Sequence, residues 1–213
     1  QYSAAQTHWS IYIGEHSRQD TDLSWLEGWR GDGVLARVEN DETAQQVRKL
    51  GVPVVDLSSA GLLPEAPCVE TDDAVIARWA VEHFVARGLA NVAFCGDPRF
   101  GWSVKRRRWF LEHAQARGTT AQVCDLDASA TVADTRRALV VWLHSLPKPV
   151  GILACYDIAG QQLLEACRLA GLDVPDDVAV LGVDNDELIC SLTSPPMSSI
   201  QSNSTGTGYL AAQ

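Results

Sequence analysis

The chain has 213 residues, of which 46% are hydrophobic and 21% are charged, a composition typical of a soluble globular protein with room for one sizeable domain or two lobes. Its 17 Lys and Arg residues against 27 Asp and Glu residues give a formal net charge of −10, which argues against direct binding to nucleic acid phosphates. No apolar run approaches the roughly 18 residues that a membrane-spanning helix needs, and the N-terminal sequence QYSAAQTHWS does not resemble a secretion signal.

Short apolar segments alternate with longer amphipathic segments along almost the whole chain. The apolar segments are rich in Val, Ile, Leu and Ala, as in strands that are covered on both faces of a parallel sheet. The predicted strands are 10–14, 33–38, 53–57, 91–96, 121–125, 150–155 and 178–183. The predicted helices are 42–50, 73–87, 104–117, 132–145 and 158–170, and glycines at 88, 118 and 171 are placed to form left-handed C-terminal caps. The pattern indicates an α/β fold.

The segment 151–185, GILACYDIAGQQLLEACRLAGLDVPDDVAVLGVDN, predicts a parallel β-α-β unit. Asp157 follows the first strand of this unit and Asp184 follows the second. Parallel sheets bind ligands beyond the carboxyl ends of their strands, so both carboxylates are candidate ligand-binding groups. Asp157 could equally serve as the N-cap of the helix that it precedes.

Two irregular segments suggest that the chain builds two lobes. The sequence DPRFGWS follows the predicted strand 91–96, and CSLTSPPMSSI lies near the C-terminus, where Pro195 and Pro196 oppose regular structure. Two such breaks would let the chain leave one lobe, build another and return. The prediction is two doubly wound parallel sheets, 1–96 with 198–213 in an N-terminal lobe and 97–197 in a C-terminal lobe, with a ligand cleft between them.

Several motifs resemble LacI/GalR-type transcription regulators, whose effector domains have the periplasmic-binding-protein-like fold. VETDDAVIARWAVEHFVARGLANVAFCG is similar to their helix and strand before the first interlobe crossing, and PPMSSI to their return segment. In VKRRRWF and VPDDVAVLGVDND, Arg106 and Asp184 match the family's sugar-binding Arg and Asp. More narrowly, GDGVLA, GWSVKRRRWF and GVDNDELICSLTSPPMSSI resemble the sensor domains of xylose operon regulators, in which a LacI-like domain precedes an AraC-type DNA-binding module.

The resemblance implies a sugar-sensing effector domain of a cytoplasmic bacterial regulator that binds D-xylose or a related pentose without a cofactor. It also implies a homodimer that reaches DNA only through a module outside this chain, with no membrane partner. Family members open with a strand and a helix before the segment similar to WSIYIGE, so the N-terminal lobe is expected to lack its first strand here.

Two other functions compete with the regulator. A transport-type sugar-binding protein has the same fold, and an α/β enzyme that processes sugars would also place carboxylates at strand ends. The sequence contains no G-x-S-x-G elbow, no P-loop and no H-E-x-x-H motif, which argues against the enzyme.

The candidate site residues follow from the chemistry of a sugar, which presents many hydroxyl groups and one relatively apolar face. Asp184 is the strongest candidate to accept hydrogen bonds from hydroxyls. Arg106 can donate a planar pair of hydrogen bonds, although its KRRR run could instead be a solvated helix face. Trp102 could stack on the sugar or pack in the core. The further candidates at predicted strand ends or at the cleft edge are Asp157, Glu15, His16, Asp72 and Asp97.

The six cysteines are predicted to be packing residues and not metal ligands. They are widely spaced and form no C-x-x-C pair, and Cys95, Cys124 and Cys155 end apolar strands, where a thiol behaves as a small hydrophobic group. Reduced thiols are also in keeping with a cytoplasmic location.

Overall fold

A computed structural model describes residues 9–14, 26, 28–119 and 121–213 of the chain. The chain divides into two compact units. The first unit takes the described residues up to Thr71 together with Asn203–Gln213, and the second unit is Asp72–Ser202. The chain therefore enters the second unit once and leaves it once.

The first unit contains a two-stranded parallel sheet of β1 (Val34–Ala36) and β2 (Val54–Asp56), with the helices α1 (Asp41–Lys49) and α7 (Ser204–Ala211). The N-cap of helix α1 is Asn40, whose side chain accepts a 2.8 Å hydrogen bond from the Thr43 amide and so pairs one of the amides left unpaired at a helix start. The small core of this unit is formed by Val38, Ala44, Val47 and Leu63.

The predicted strand at 10–14 is wrong. The described residues 9–14 adopt no regular structure, and Ile13 is 80% exposed. An apolar segment becomes a buried strand only where a neighbouring strand satisfies its backbone and other elements cover its side chains, and within the described residues no strand pairs with this segment.

The second unit contains a five-stranded sheet in which all neighbouring strands are parallel. Its strands are β3 (Asn91–Gly96), β4 (Ala121–Asp125), β5 (Val150–Ala154), β6 (Val178–Val183) and β7 (Ser198–Ile200). Their order across the sheet is β4-β3-β5-β6-β7. This is the order of a doubly wound sheet, in which the connections leave the first strand in opposite directions.

Helix α2 (Asp73–Ala86) precedes β3, and four helices connect the five strands: α3 (Gly101–Ala116), α4 (Val132–Ser145), α5 (Asp157–Ala170) and α6 (Glu187–Leu192). Helix α2 packs on α3, and α4 packs on α5. Because right-handed crossovers that run in opposite directions leave their helices on opposite faces of a sheet, α3 covers one face and α4 with α5 the other. This covering explains why β3, β5 and β6 are almost continuously apolar.

The core of the second unit lies on both faces of this sheet. Fully buried side chains include Phe84, Phe94, Phe110 and Leu153, and burial of each contributes about 1.5–3 kcal/mol. At Gly151 the helix α2 approaches the sheet so closely that a Cβ atom would lie 2.4 Å from the Phe84 ring. Glycine is therefore required at this position of β5.

The unit boundaries in the structure differ from the predicted ones. The sequence predicts that strand 91–96 belongs to the N-terminal lobe, but β3 pairs with both β4 and β5 and lies inside the second sheet. The strand β7 likewise pairs with β6. The crossings consequently fall at Thr71–Asp72 and Ser202–Asn203. Loop composition marks a break in regular structure, whereas strand pairing between distant segments decides which sheet a strand joins.

All six cysteines lie among the described residues, and none of them forms a disulfide there. Burial raises the pKa of Cys155 to about 12 and that of Cys167 to about 11, so both thiols stay protonated at pH 8. Cys124 is half-buried, and its hydrogen bond with Cys95 lowers its pKa. Cys68 is exposed.

Alkylation needs a thiolate that the reagent can reach. Iodoacetamide at pH 8 is therefore expected to modify the exposed Cys68 first and the half-buried Cys124 second in the folded protein. Peptide mass spectrometry after timed quenching measures this order, and a Cys68→Ser variant should lack the first product. Modification of Cys155 or Cys167 as fast as Cys68 would contradict the burial of these two thiols.

Candidate functional site

The candidate site lies at the carboxyl edge of the five-stranded sheet, where the chain leaves each strand. Strand β3 is followed by α3 and β4 on one side, and its other neighbour β5 is followed by α5 and β6. The connections therefore diverge between β3 and β5, and such a switch point opens a crevice in which doubly wound sheets bind ligands. Residues that follow Gly96 and Ala154 border this crevice.

An aromatic group follows β3 and β5 at this switch point. The rings of Phe100 and Trp102 are stacked, with centroids 5.2 Å apart and planes at 12°. Trp102 also meets Tyr156 edge-on, at 5.8 Å and 82°. Its Nε1 is buried and has no hydrogen-bond partner among the described residues. A buried N–H group left unpaired costs about 1–3 kcal/mol, so this donor is suited to a ligand hydroxyl. Both predicted roles of Trp102, packing and ligand contact, remain compatible with this geometry.

Arg106 is buried beneath Trp102, with its guanidinium carbon 5.1 Å from the Trp102 ring centroid. Its Nε and Nη2 lie 2.8 and 2.7 Å from Oδ1 of Asp73, and its Nη1 donates to the carbonyl of Cys155. These contacts use three of the five guanidinium N–H groups. Arg106 is thus not part of a solvated helix face, and it retains N–H groups that could donate to a ligand.

The neighbouring arginines of the KRRR run do lie at the surface. Arg107 forms an ion pair with Asp125, and Arg108 lies over the exposed side of Trp109, 4.8 Å from the ring centroid. Arg106 is therefore buried, whereas the side chains of Arg107 and Arg108 reach the solvent. Only the helix packing of α2 on α3 places an acidic partner, the first residue of α2, beside this one arginine.

Asp97, directly after β3, is buried and fully engaged by Arg99. Nε and Nη2 of Arg99 donate to the two carboxylate oxygens at 2.9 and 2.6 Å. The hydrogen bond with Asp97 raises the pKa of Arg99. The backbone amide of Asp97 donates to Ser103 Oγ at 2.9 Å. Asp97 therefore positions Arg99, whose side chain is 39% exposed and can itself donate to a ligand. Sequence reasoning missed Arg99, although the DPRFGWS break after a strand marked its neighbourhood.

The prediction that Asp157 caps its own helix is wrong. The N-cap of α5 is Tyr156, which makes no side-chain capping bond, and Asp157 is the first helical residue. Its buried carboxylate instead accepts hydrogen bonds from the Asp186 amide at 2.7 Å and from Ser199 Oγ at 2.6 Å. Asp157 thereby joins the start of α5 to the turn after β6 and to β7.

Asp184 occupies a turn with unusual backbone geometry. Its φ is 109° and that of Asn185 is 54°, in a region that non-glycine residues rarely adopt. Such residues cost about 1–3 kcal/mol each and collect at ligand-binding sites, where surrounding bonds hold them. The Asp184 amide donates to the carbonyl of Ile200 at 3.0 Å. The side chain of Asp184 is exposed at the carboxyl edge, as a ligand-binding carboxylate must be.

The remaining candidates are placed differently. Asp72 is the N-cap of α2, and its Oδ1 accepts a 3.0 Å hydrogen bond from the Val75 amide. Glu15 and His16 lie outside the described residues. Within the part of the chain that the structure describes, no group of three or more His, Cys, Asp or Glu residues could hold a metal ion, and no helix is long and apolar enough to cross a membrane.

Five of the predicted residues lie along one edge of the sheet. Asp97, Trp102 and Arg106 surround the end of β3, Asp157 follows β5, and its bond to the Asp186 amide reaches the turn that carries Asp184. An exposed carboxylate, a buried guanidinium and a half-buried indole can together bind a small polyol through its hydroxyls and its apolar face.

Comparison with known proteins identifies what this chain resembles. The sequence profile of the periplasmic binding protein-like domain family matches residues 81–213, more than half of the chain. The xylose operon regulatory proteins of Haemophilus influenzae and Escherichia coli are each 28% identical to this chain. The alignments cover 99% of this chain, and 56% and 55% of the two relatives. The chain therefore spans little more than half of these relatives.

Solved structures agree with the sequence matches. The structure of a xylose-binding transcription activator superposes with a TM-score of 0.82 and 27% identity, over 99% of this chain and 55% of that one. A transcriptional regulator in complex with cellobiose superposes with a TM-score of 0.69 and 25% identity, over 89% of this chain and 59% of that one.

Proposed function

Because the chain belongs to the periplasmic binding protein-like domain family, we propose that it is the sugar-sensing domain of a bacterial transcription regulator. The ligand in this proposal is D-xylose or a related pentose. The domain acts in the cytoplasm as part of a homodimer and needs no cofactor. It controls DNA binding by a module outside this chain.

The observation that carries the proposal is the Asp184 turn at the carboxyl edge of the sheet. The strained backbone of this turn costs free energy, and it presents an exposed carboxylate. A role of that carboxylate in ligand binding would explain why the protein keeps the strain. In the proposed complex Asp184 accepts hydrogen bonds from two sugar hydroxyls. Arg106 donates to a further hydroxyl, and Trp102 contacts the apolar face or donates through its buried Nε1.

The proposed choice of a pentose rests on the relatives. Two regulatory proteins of xylose operons and a xylose-binding activator each match 99% of the chain. Asp72 and Asp97 already have structural partners, so the proposal assigns them no direct sugar contact.

In this proposal, sugar binding changes DNA binding by shifting a conformational equilibrium of the regulator. A ligand shifts such an equilibrium only by its differential affinity for the two states.

A calorimetric titration of the full-length protein with D-xylose tests the proposal. We expect saturable heat with D-xylose and weaker or no binding of D-glucose, which carries one additional hydroxymethyl group. Heat with another sugar and none with D-xylose would overturn the choice of ligand. The relatives named above are regulators, so the alternatives of a transport-type binding protein and a sugar-processing enzyme receive no support from them. Turnover of the bound sugar would favour the enzyme.

A further inference from the structure

We infer that Asp157 and Ser199 are positioning residues that hold the Asp184–Asn185 turn in its ligand-binding conformation. The inference rests on the proposed function, because it assigns these two residues a role in sugar affinity. It also replaces the direct sugar contact that the sequence suggested for Asp157.

Three consecutive amides of the turn are held from outside it. The Asp184 amide donates to the carbonyl of Ile200 at 3.0 Å, the Asn185 amide donates to Ser199 Oγ at 3.0 Å, and the Asp186 amide donates to Asp157 Oδ2 at 2.7 Å. The turn is therefore fixed on both sides of its two left-handed residues. Without these acceptors, the backbone at Asp184 would relax towards the ordinary region of φ.

The Ser199 hydroxyl is oriented by Asp157. Its O–H group donates to Asp157 Oδ1 at 2.6 Å, which turns a lone pair of Oγ towards the Asn185 amide. One donor and one acceptor of the hydroxyl are thereby used in a defined direction. Asp157 holds the turn directly through Asp186 and indirectly through Ser199.

The surrounding chain is shaped to admit this carboxylate. A Cβ atom at position 182 would lie 2.2 Å from Asp157 Oδ1, so Gly182 in β6 provides the space that Asp157 occupies. Asp186 in turn caps α6, since its Oδ1 accepts hydrogen bonds from the amides of Leu188 and Ile189 at 3.0 and 3.1 Å. The turn thus joins strand β6 to helix α6, and these two elements set the position of the Asp184 carboxylate.

The test compares Ser199→Ala with Ser198→Ala in the full-length protein. Ser198 is an exposed neighbour on the same strand and serves as the matched control. Loss of the Ser199 hydroxyl is expected to raise the Kd for D-xylose about 5- to 10-fold and to accelerate hydrogen exchange at the Asn185 amide. Ser198→Ala should change neither quantity. Ser199→Thr, which keeps the hydroxyl, should restore most of the affinity.

A double-mutant cycle separates positioning from a general loss of stability. In an Asp184→Asn background, Ser199→Ala should change the Kd by less than about 2-fold, because the charged carboxylate that the turn positions is no longer there to couple to Ser199. Asp157→Asn keeps the shape of the side chain and should also accelerate exchange at the Asp186 amide. An equal loss of affinity in both backgrounds, or unchanged exchange at Asn185 in Ser199→Ala, would overturn the inference.

The two proposals fail in different ways. A wild-type protein that binds no D-xylose contradicts the proposed ligand, while the hydrogen-exchange comparison still decides whether Ser199 and Asp157 hold the turn. A wild-type protein that binds D-xylose, with Ser199→Ala binding equally well, contradicts the positioning role alone.

Discussion

Asp184→Asn is expected to raise the Kd for D-xylose at least about 10-fold, because a hydrogen bond to a charged group contributes about 1.5–3 kcal/mol and each 1.4 kcal/mol is about tenfold in Kd. Asn keeps the size of the side chain and tolerates the left-handed backbone that Asp184 adopts with a φ of 109°. The substitution therefore removes the charge without forcing the turn to change. Calorimetric titration measures the effect.

The matched control for this prediction is Asp176→Asn. Asp176 is also exposed, but it precedes β6 and lies at the opposite edge of the sheet. Its replacement should leave the Kd within about 2-fold of the wild-type value, since a distant surface charge is largely screened by salt. Equal Kd values for Asp184→Asn and wild type would show that the sugar does not contact this carboxylate.

Asp73→Ala is expected to lower the free energy of unfolding by about 3–5 kcal/mol, because it leaves the buried guanidinium of Arg106 without its counter-charge. Both side chains are about 95% buried or more, with relative exposures of 4% for Arg106 and 5% for Asp73. The interaction joins α2 to α3 within the second unit. Urea denaturation followed by circular dichroism measures the loss.

The adjacent Asp72 is the control for the buried pair. Asp72→Ala removes an exposed N-cap, whose loss costs about 0.5–2 kcal/mol, so the two neighbouring substitutions should differ clearly. The double variant Asp73→Leu with Arg106→Met should recover much of the stability, since hydrophobic residues of similar volume often replace a buried ion pair at little cost. If Asp73→Ala were no more destabilising than Asp72→Ala, the pair would not hold α2 on α3.

The apolar segments of the sequence located the sheet well. The predicted strands 91–96, 121–125 and 178–183 coincide with β3, β4 and β6, and the predicted helix 132–145 with α4. Strands such as β3 and β6, which are covered on both faces, need uninterrupted apolar residues, so their bounds are visible without knowledge of their neighbours. The predicted left-handed caps at Gly88, Gly118 and Gly171 are confirmed, with φ of 75°, 73° and 68°.

The segment after β6 was harder to predict. The sequence predicts that CSLTSPPMSSI is irregular, but this segment contains the end of helix α6 and the strand β7. The strand SSI has little apolar character, and it forms because β6 supplies its partner. The bonds that fix this region join Asp157 to Ser199, 42 residues apart, and to Asp186, 29 residues apart. No local pattern contains such pairs.

Residue order and hydrophobic pattern were sufficient to place Asp97, Asp157 and Asp184 after strands of a parallel sheet, because strand ends in such a sheet share one edge. The roles of the side chains depended on which elements pack together. Arg106 is held by Asp73 because α2 lies against α3, and Asp157 binds Ser199 because β7 adds to the sheet beside β6. Periodicity is a local property of the chain, whereas the partner of a buried polar group is set by contacts between distant segments.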